Sequence, residues 1–288
     1  MSDRAIEVSG LRKNYGELRA VDGIDFHVDR GEVFALLGPN GAGKSTTIEI
    51  LEGFRKRNGG EVSVLGFDPR NAGREFRERI GLMLQTTSGT SLLTAREALT
   101  HTARLYPNPR DVDEVLAAVG LEEKANAKPQ TLSGGQRRRL DVALAVIGRP
   151  ELVFLDEPTT GFDPEARRQF WGLIRSLTAD GTTVLLSTHY LDEADYLADR
   201  IGIIARGRLV ALDTPAGLRA RASSTRVTWH AGGARHEELT AAPTALLRDL
   251  LAKTKGEIDQ LEVMRPSLED VYLELIGHEP VTSEAEAA

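Results

Sequence analysis

The sequence predicts an α/β fold in which helices flank a largely parallel β-sheet, with a small α+β unit appended toward the C-terminal end. Three observations lead to this prediction. Apolar runs of strand length alternate with longer helical segments along most of the chain, and such alternation produces parallel strands joined by right-handed crossovers. A glycine-rich loop stands between one buried strand and the next helix. Two later strands end on acidic or histidine side chains, at the position where ligand sites lie in such sheets.

The first elements are short strands in which apolar and polar residues alternate. Residues 5–11 and 24–28 alternate in this way, with a turn at residues 14–16, and we expect them to form an antiparallel edge on a mixed sheet. The run at residues 33–37 is entirely apolar and too short for a helix, so we expect a buried strand there. A further strand is predicted at residues 61–64.

A mostly helical segment follows the strand predicted at residues 80–84. Its helices are predicted at residues 94–106, 112–119 and 133–147, because Pro and Gly mark their ends. We therefore expect a helical subdomain at about residues 86–148, inserted into the α/β domain.

The alternation of strands and helices resumes after this insertion. Four strands and two helices are predicted in turn, at residues 152–155, 165–177, 183–187, 191–197, 201–204 and 208–212. The appended unit is predicted to contain a strand, a helix, a strand and a helix, at residues 225–230, 243–253, 257–264 and 267–276. We place the first domain at residues 1–217, the accessory unit at 218–277 and a disordered tail at 278–288, which has little apolar surface to pack.

Composition favours a soluble protein with a substantial core. The chain has 288 residues, 41% of them hydrophobic, and a net charge of −7, which gives no general reason to expect nucleic-acid binding. It contains no cysteine, which excludes disulfides and thiol-ligated metals. We find no signal-peptide pattern and no apolar run long enough to span a membrane. We therefore expect a cytoplasmic protein that would act on a membrane only through another chain.

The glycine-rich loop has the sequence GPNGAGKST at residues 38–46. Glycines let a backbone turn tightly and point its N–H groups inward, and the positive end of the following helix attracts anions. Lys44 can reach the outer phosphates of a nucleotide, and the Ser45 hydroxyl can ligate Mg²⁺. A glycine turn with an accidental Lys-Ser is the alternative, which the flanking strand and helix disfavour. We predict a triphosphate site formed by Gly38, Pro39, Asn40, Gly41, Ala42, Gly43, Lys44, Ser45 and Thr46.

Acidic residues end the apolar run at residues 152–155. Asp156 is predicted to emerge from a buried strand, where its carboxylate can hold Mg²⁺ directly or through a water. Glu157 follows it and can orient or deprotonate an attacking water. An ordinary helix start or salt bridge is the alternative, and the phosphate loop upstream makes the metal-and-base interpretation the better one.

Three further side chains are candidates on weaker grounds. Gln85 follows a strand, and its amide could ligate Mg²⁺ or place a water, although a solvated loop residue is the ordinary alternative. His189 also ends a strand and could contact the outer phosphate or hold Glu157 in line, although a lone histidine is more often structural. Tyr15 could stack on adenine or shield the sheet edge, and its spacing favours neither.

A second candidate anion site has the sequence LSGGQ at residues 132–136. Ser133 can cap the helix that follows, and capping alone would explain its presence. Two consecutive glycines just inside a helix are unfavourable for the helix itself, but they let a helix N-terminus approach an anion closely. One triphosphate does not need two such sites from one chain.

Together these motifs resemble those of ABC transporter ATP-binding subunits. GPNGAGKST, Gln85, LSGGQ, LVFLDEP, TTGFDP and His189 occur in the order and spacing of that family over residues 5–215, and LSGGQ beside a phosphate loop is a highly specific combination. The resemblance implies a P-loop NTPase fold with a RecA-like core, an antiparallel β edge and a helical subdomain. It also implies a head-to-tail homodimer in which each ATP lies between the phosphate loop of one subunit and Ser133, Gly134, Gly135 and Gln136 of the other.

The resemblance also assigns ligand contacts to individual residues. It implies ATP and Mg²⁺ as ligands. Tyr15 would stack on adenine, and Lys44, Ser45 and Thr46 would hold the phosphates and the metal.

The same resemblance assigns the catalytic roles. Gln85 and Asp156 would attend the Mg²⁺ together with Ser45. Glu157 would be the base and His189 the switch histidine, with Lys44 completing the catalytic set. Asp163 would lie in the loop that crosses the dimer interface.

The end of the chain resembles one subclass of this family. RPSLEDVYLELIG at residues 265–277 is similar to the C-terminal motif of ATPases from antibiotic and multidrug exporters of the daunorubicin-resistance type, and residues 132–161 are similar to the same class. Phe162 stands where the family usually has Leu, an apolar change that concerns packing. The arginine run at residues 137–139 is interpreted as a solvated helix face rather than a nucleic-acid site.

The sequence therefore predicts the ATP-hydrolysing subunit of an ABC transporter, peripheral on the inner face of the cell membrane. It would dimerise on ATP and drive a separate permease that exports a drug, antibiotic or other hydrophobic compound. The alternatives are an importer ATPase, an ABC-type ATPase that acts on nucleic acid or ribosomes, and a regulatory module that does not hydrolyse. The second usually has two cassettes or coiled-coil insertions, which this chain lacks; Glu157 and His189 argue against the third.

Overall fold

The computed structural model describes most of the chain, namely residues 3–83, 92–221, 225–254, 256–264 and 267–277. The chain divides into two units, Met1–Leu212 and Asp213–Ala288. Gln85, Arg265 and the predicted tail at residues 278–288 lie outside the described residues.

The described elements follow the alternation that the sequence predicts. The strands of the first unit are β1 (Arg4–Tyr15), β2 (Leu18–Asp29), β3 (Val33–Leu37), β4 (Gly59–Val64), β5 (Ile80–Met83), β6 (Leu152–Asp156), β7 (Thr183–Thr188), β8 (Arg200–Ala205) and β9 (Arg208–Asp213). Its α-helices are α1 (Lys44–Leu51), α2 (Arg74–Arg79), α3 (Ala95–Ala103), α4 (Val112–Ala118), α5 (Gly134–Val146), α6 (Pro164–Ala179) and α7 (Leu191–Leu197). The second unit contains α8 (Pro215–Arg221), β10 (Thr225–Ala231), β11 (Ala234–Thr240), α9 (Pro243–Lys253), β12 (Asp259–Met264) and α10 (Leu268–Gly277).

A six-stranded sheet with the order β5-β6-β7-β3-β8-β9 forms the centre of the first unit. The pairs β5/β6, β6/β7, β7/β3 and β3/β8 are parallel. Every residue of β3, β6 and β7 is buried, as expected for parallel strands covered on both faces. Because these strands run in one direction, their carboxyl ends lie together at one edge, where Leu37 pairs with Thr188 and Asp156 with Ser187.

The antiparallel strands form a separate sheet with the order β2-β1-β4, whereas the sequence led us to expect them on the edge of one mixed sheet. They are also longer than the alternating pattern predicts, because Asn14 and Tyr15 continue β1 and the turn falls at Gly16 and Glu17. The two sheets share a core in which the rings of Phe26 and Phe34 stack with centroids 5.3 Å apart.

Helices α3 and α4, which lie between β5 and β6 in the sequence, each begin at a polar capping residue. Thr94 begins α3 through a capping box with Glu97, and Asp111 begins α4 by accepting hydrogen bonds from backbone N–H groups. Their apolar faces pack inward through Leu99 and Val115, which are at most 3% exposed. The first of these helices ends at Ala103, earlier than the sequence predicts.

Helix α6 shows the periodic apolar face of a helix that packs on a sheet. Its buried residues are Ala166, Phe170, Leu173, Ile174 and Leu177. Beside this face the ring of Trp171 stacks on that of Tyr196 in α7, with centroids 4.6 Å apart.

The second unit contains an antiparallel sheet with the order β11-β10-β12. Strand β11 was not predicted because its sequence, ARHEELT, has no apolar alternation and its residues are nearly all exposed. Its pairing places His236 opposite Trp229, and the two rings stack with centroids 5.4 Å apart. Val227, Leu268 and Val271 supply buried apolar surface.

Candidate active site

The carboxyl edge of the six-stranded sheet brings most of the predicted catalytic residues together. The phosphate loop follows β3, Asp156 ends β6, and His189 directly follows β7. These three strands are parallel neighbours, so their ends meet at the place where ligands bind in open α/β sheets.

Close packing requires two glycines of the phosphate loop. A carbon added at Gly38 would lie 2.2 Å from the carbonyl oxygen of Ile204, and one added at Gly43 would lie 2.3 Å from that of Ala20. Gly43 also has a φ of 105° and directly precedes α1 without a side-chain cap. The first N–H groups of α1 are therefore left for an external anion.

Lys44 lies in the interior of this loop. Its Nζ donates to the carbonyl oxygens of Gly38 at 2.7 Å and Pro39 at 3.2 Å, and the residue is only 5% exposed. Burial lowers the pKa of Lys44, while the charges of Glu157 and Asp156 oppose that shift. Phosphate oxygens entering the loop would replace these carbonyl oxygens as partners of the ammonium group.

Asp156 is held by the neighbouring strand. The hydroxyl of Ser187 in β7 donates a hydrogen bond to Asp156 Oδ1, and both residues are buried. This contact fixes the rotamer of a carboxylate that points out of the end of β6. Sequence reasoning missed Ser187, although its position two residues before His189 places it in the strand beside Asp156.

Glu157 has a strained backbone at the end of the same strand. Its φ of 48° is in the left-handed region, which non-glycine residues seldom adopt. Its N–H donates to the backbone oxygen of Ser187 at 3.1 Å and to that residue's Oγ at 3.2 Å. Its carboxylate lies 3.4 Å from His189 Nδ1 and 3.5 Å from the hydroxyl of Thr160. These contacts aim the carboxylate at the edge where the phosphate loop lies.

His189 also contacts an aromatic ring. Its ring packs on that of Tyr190 with centroids 4.1 Å apart, and the guanidinium of Arg167 lies 4.5 Å from the centre of the Tyr190 ring. Arg167 is itself paired with Asp192 at 3.0 Å. The imidazole is thus positioned by a stack that begins on α6.

A cavity of about 280 Å³ opens over the phosphate loop. Its lining residues are Tyr15, Leu18, Ala20, Asn40, Gly41, Gly43, Lys44, Ser45, Thr46 and Glu157. The ring of Tyr15 is 40% exposed and has Lys13 and Arg55 at 5.2 and 5.3 Å from its centre. An exposed ring flanked by cations at the mouth of a phosphate-binding cavity is suited to stack on a nucleotide base.

The structure does not bring the LSGGQ segment to this cavity. Ser133 and Gln136 form a reciprocal capping box at the start of α5, so the predicted cap is present. Among the described residues, an added carbon at Gly134 would meet nothing within 4 Å, and the residue is exposed. Packing in this part of the chain therefore gives no reason for glycine at that position. The added carbon at Gly135 would lie in ordinary contact with Phe162.

A second cavity, of about 420 Å³, lies beside the LSGGQ segment. Gln136 and Asp163 both line it. Asp163 caps α6 by accepting a hydrogen bond from Ala166 N–H at 2.8 Å. Phe162, whose ring packs edge-on against Phe170 at 6.0 Å, completes the turn before it. Gln136 and Asp163 therefore line a different cavity from Lys44 and Glu157.

The arginine run at residues 137–139 is not the solvated face that the sequence suggested. All three residues are half-buried. Arg137 donates to the Pro129 carbonyl, Arg138 to the Asp156 and Glu157 carbonyls, and Arg139 to the Val119 and Gly120 carbonyls. Helical spacing gave one signal for this, because the side of α5 that carries Arg138 also carries the buried Asp141, Val142 and Ala145.

The phosphate loop and the neighbouring end of β6 fit a magnesium–triphosphate complex. A hydroxyl and a carboxylate, from Ser45 and Asp156, are the hard oxygen donors that Mg²⁺ prefers. Lys44 and the uncapped N-terminus of α1 supply positive charge and N–H donors for the phosphates. Gly38 and Gly43 let the loop pack directly against the carbonyl oxygens of Ile204 and Ala20, which fixes the backbone around this anion site.

Fold and site define the class of protein, which is a P-loop nucleoside triphosphatase. Residues 21–160 match the family model described as ABC transporter. The daunorubicin/doxorubicin resistance ATP-binding protein DrrA of Streptomyces peucetius is 41% identical, over 96% of this chain and 93% of that protein. Nod factor export ATP-binding protein I of Paraburkholderia xenovorans is 37% identical, over 97% and 99%. The chain therefore belongs to the ABC transporter ATP-binding family and is an ABC ATPase.

Solved structures agree with this assignment. The structure of an ATP binding subunit of an ABC transporter is 30% identical with a TM-score of 0.69, covering 75% of this chain and 92% of its own. A dimeric bacterial ABC transporter cassette is 27% identical with a TM-score of 0.65, covering 73% and 98%. A dimeric post-hydrolysis cassette bound to ADP and Pi is 26% identical with a TM-score of 0.66, covering 73% and 98%. The predicted fold class is confirmed.

Proposed function

We propose that two copies of this ABC ATPase close head-to-tail on two ATP molecules and drive a separate membrane permease. The observation that carries the proposal is that the chain has two helix N-termini suited to anions, and that residues 132–136 at the start of α5 do not line the phosphate-loop cavity. Lys44 lines the first cavity, and Gln136 lines the second. The exposed Gly134 has open space around it, which suits the close approach of a ligand held by another subunit.

The residues at the first cavity divide the work of hydrolysis. Glu157 orients the attacking water and accepts its proton, and His189 keeps that carboxylate in line. Lys44 offsets negative charge on the outer phosphates. Ser45 and Asp156 would hold Mg²⁺, which supplies further charge compensation across the phosphate oxygens when bound.

The partner subunit would complete the site. Ser133, Gly134, Gly135 and Gln136 of one copy would supply N–H and hydroxyl donors to the ATP held by the other. Asp163 lies in the loop before α6 and would cross the interface. Tyr15 would stack on adenine. Gln85 would contact the metal and transmit closure of the dimer to the permease.

Export is the transport direction that the relatives favour. The names of two of them refer to daunorubicin/doxorubicin resistance and to Nod factor export, so we infer export of a drug, antibiotic or other hydrophobic compound. Within the described ranges no helix has the length and apolar character needed to cross a membrane. We infer a position on the inner face of the cell membrane, held there by the permease.

The test is Glu157→Gln in the full chain. We expect ATP binding to be retained, turnover to fall by about 10²-fold or more, and a dimer to accumulate with ATP in size-exclusion chromatography. Glu61→Gln removes an exposed carboxylate of β4 and should behave as wild type. Normal turnover by the Glu157 variant would remove the base assignment, and a strictly monomeric ATP-bound variant would contradict the dimer.

Co-purification with a multi-span membrane protein tests the proposed association with a permease.

A further inference from the structure

Arg138 connects the LSGGQ helix to the base of the ATP site in its own chain. It lies on α5, five residues after the capping Ser133. Its Nη2 donates to the carbonyl oxygen of Asp156 at 2.5 Å and to that of Glu157 at 2.9 Å. No other arginine of the run at residues 137–139 reaches these two carbonyls in the described structure.

These contacts fix the peptide unit that aims the catalytic carboxylate. The carbonyl of Asp156 accepts from Arg138, while the N–H of Glu157, on the other side of the same peptide, donates to Ser187. A peptide held at both ends cannot rotate about its flanking bonds without breaking a hydrogen bond. Glu157 needs this restraint because its φ of 48° is unfavourable for a residue with a side chain.

The N-terminus of α5, about one turn before Arg138, is the predicted contact for the partner's ATP. Ser133 begins the helix there, and Gly135 lies close enough to the loop after Glu157 that an added carbon would be 3.8 Å from Phe162 and 3.9 Å from the Gly161 carbonyl. The helix therefore packs on the Glu157 loop through its first turn and through Arg138. A shift of α5 would move both contacts together, since a hydrogen-bonded helix of 13 residues moves as a unit.

We propose that Arg138 is a positioning residue that makes the orientation of Glu157 depend on the position of α5, so that ATP bound at one site promotes hydrolysis at the other. This inference rests on the proposed head-to-tail dimer. ATP held by the partner would seat the N-terminus of α5. The seated helix, through Arg138, would hold the peptide between Asp156 and Glu157 in the geometry that activates water.

The kinetic test compares three variants of the full chain. Arg138→Gln should lower kcat by about tenfold to a hundredfold, as loss of an orienting contact does, with ATP affinity within about twofold of wild type. It should also lower the Hill coefficient for ATP toward 1. Arg138→Lys should recover part of kcat, because an ammonium can reach one carbonyl but cannot replace the planar guanidinium.

Arg137→Gln is the matched control. It removes an arginine from the same helix whose Nε donates to the Pro129 carbonyl, outside the catalytic loop. We expect its kcat and Hill coefficient to match wild type. An equal loss in the Arg137 and Arg138 variants would assign the effect to α5 as a whole and overturn the proposal, as would a wild-type Hill coefficient in Arg138→Gln.

A double-mutant cycle with Glu157→Gln separates positioning from general structural damage. If Arg138 acts through Glu157, the double variant should keep the residual rate of Glu157→Gln within about twofold. A double variant whose rate falls by the product of the two single losses would overturn the proposal. Failure of the proposed function has a different signature, because it would show as normal turnover by Glu157→Gln alone.

Discussion

Ser187 connects Asp156, the proposed metal-binding acid, to Glu157, the proposed base. Its hydroxyl donates to Asp156 Oδ1 and accepts the N–H of Glu157. One side chain therefore fixes a carboxylate and a strained backbone at the same time. The pairing of β6 with β7 makes this possible, because Asp156 and Ser187 are opposite one another in the register.

We predict that Ser187→Ala weakens the response to Mg²⁺ more than it weakens the fold. Loss of an orienting hydrogen bond to a metal-binding carboxylate typically costs about 10–100-fold in metal affinity or activity, and the free energy of unfolding should fall by only about 1 kcal/mol. ATPase assays titrated with Mg²⁺ check the first value and urea unfolding the second. Ser176→Ala, which removes a hydroxyl bonded to the Leu173 carbonyl of α6, should leave the Mg²⁺ titration unchanged.

Glu52 gives the fold a dependence on pH. Burial, together with the charges of Asp156 and Glu49, raises the pKa of Glu52 to about 7 from an ordinary value of 4.5. The native state therefore holds this proton more tightly than the unfolded chain. The stability from this group is fully present below pH 4.5 and is lost as the pH rises through 7.

We predict that Glu52→Gln flattens the fall in the free energy of unfolding between pH 5 and pH 8. The wild-type contribution over this range is about 3 kcal/mol at most, measured by urea unfolding without nucleotide or Mg²⁺. Glu17→Gln, at an exposed position, should keep the wild-type pH profile. A parallel fall in the Glu52 variant and in wild type would contradict this explanation.

Helices α1 and α5 begin with glycines that serve different purposes. Gly43 before α1 is required by a φ of 105° and by the carbonyl of Ala20 only 2.3 Å from an added carbon. Gly134 at the start of α5 has neither constraint. The first glycine is needed by the packing of the chain itself, and for the second we propose a ligand that approaches from outside.

We predict that Gly43→Ala and Gly134→Ala separate folding from activity. Gly43→Ala should lower the free energy of unfolding by about 1–3 kcal/mol, because the residue would be strained and crowded. Gly134→Ala should leave it unchanged or raise it by up to about 1 kcal/mol, because alanine is the better helix former. Both should lose ATP-dependent dimerisation and turnover. Thermal unfolding and ATPase assays on the same preparations provide the comparison.

The elements that sequence reasoning found are those with an apolar pattern of their own. β3, β6 and β7 are entirely buried. The sequences of β3 and β6 are almost wholly apolar, and β7 has an apolar centre between polar ends, so the ends of these strands can be recognised. β11 was missed because its residues face solvent and it is a strand only through pairing with β10. Lys44 and Ser133 each lie within a short local motif, GPNGAGKST and LSGGQ, that can be recognised from the sequence alone. The acceptors of Arg138 are backbone carbonyls of another element, and no residue type marks them.

At the scale of the whole molecule, the proposed ATP site is divided between two regions of one chain. The cavity of the phosphate loop and the cavity beside α5 are lined by different residues. In the proposed dimer, a second copy completes the site, and a two-fold arrangement of two chains completes both sites at once.

We predict that two inactive variants restore activity when they are mixed. Lys44→Ala disables the phosphate loop and Gly134→Ala disables the opposing helix, so each variant alone should lose most turnover. A mixed dimer has one intact composite site, and random pairing at equal concentrations should restore up to roughly a quarter of wild-type activity. Colorimetric phosphate release measures this recovery. Activity no greater than the sum of the separate variants would contradict a site shared between subunits.

The two tryptophans described above make the two units optically distinguishable. The chain contains two, and Trp171 belongs to the first unit while Trp229 belongs to the second. Trp171 stacks on Tyr196 of α7, the helix that follows His189, whereas Trp229 stacks on His236. Emission from a Trp229→Phe protein would therefore report fluorescence changes near α7 alone. Since the chain has no cysteine, one introduced thiol would also accept a dye at a single known position.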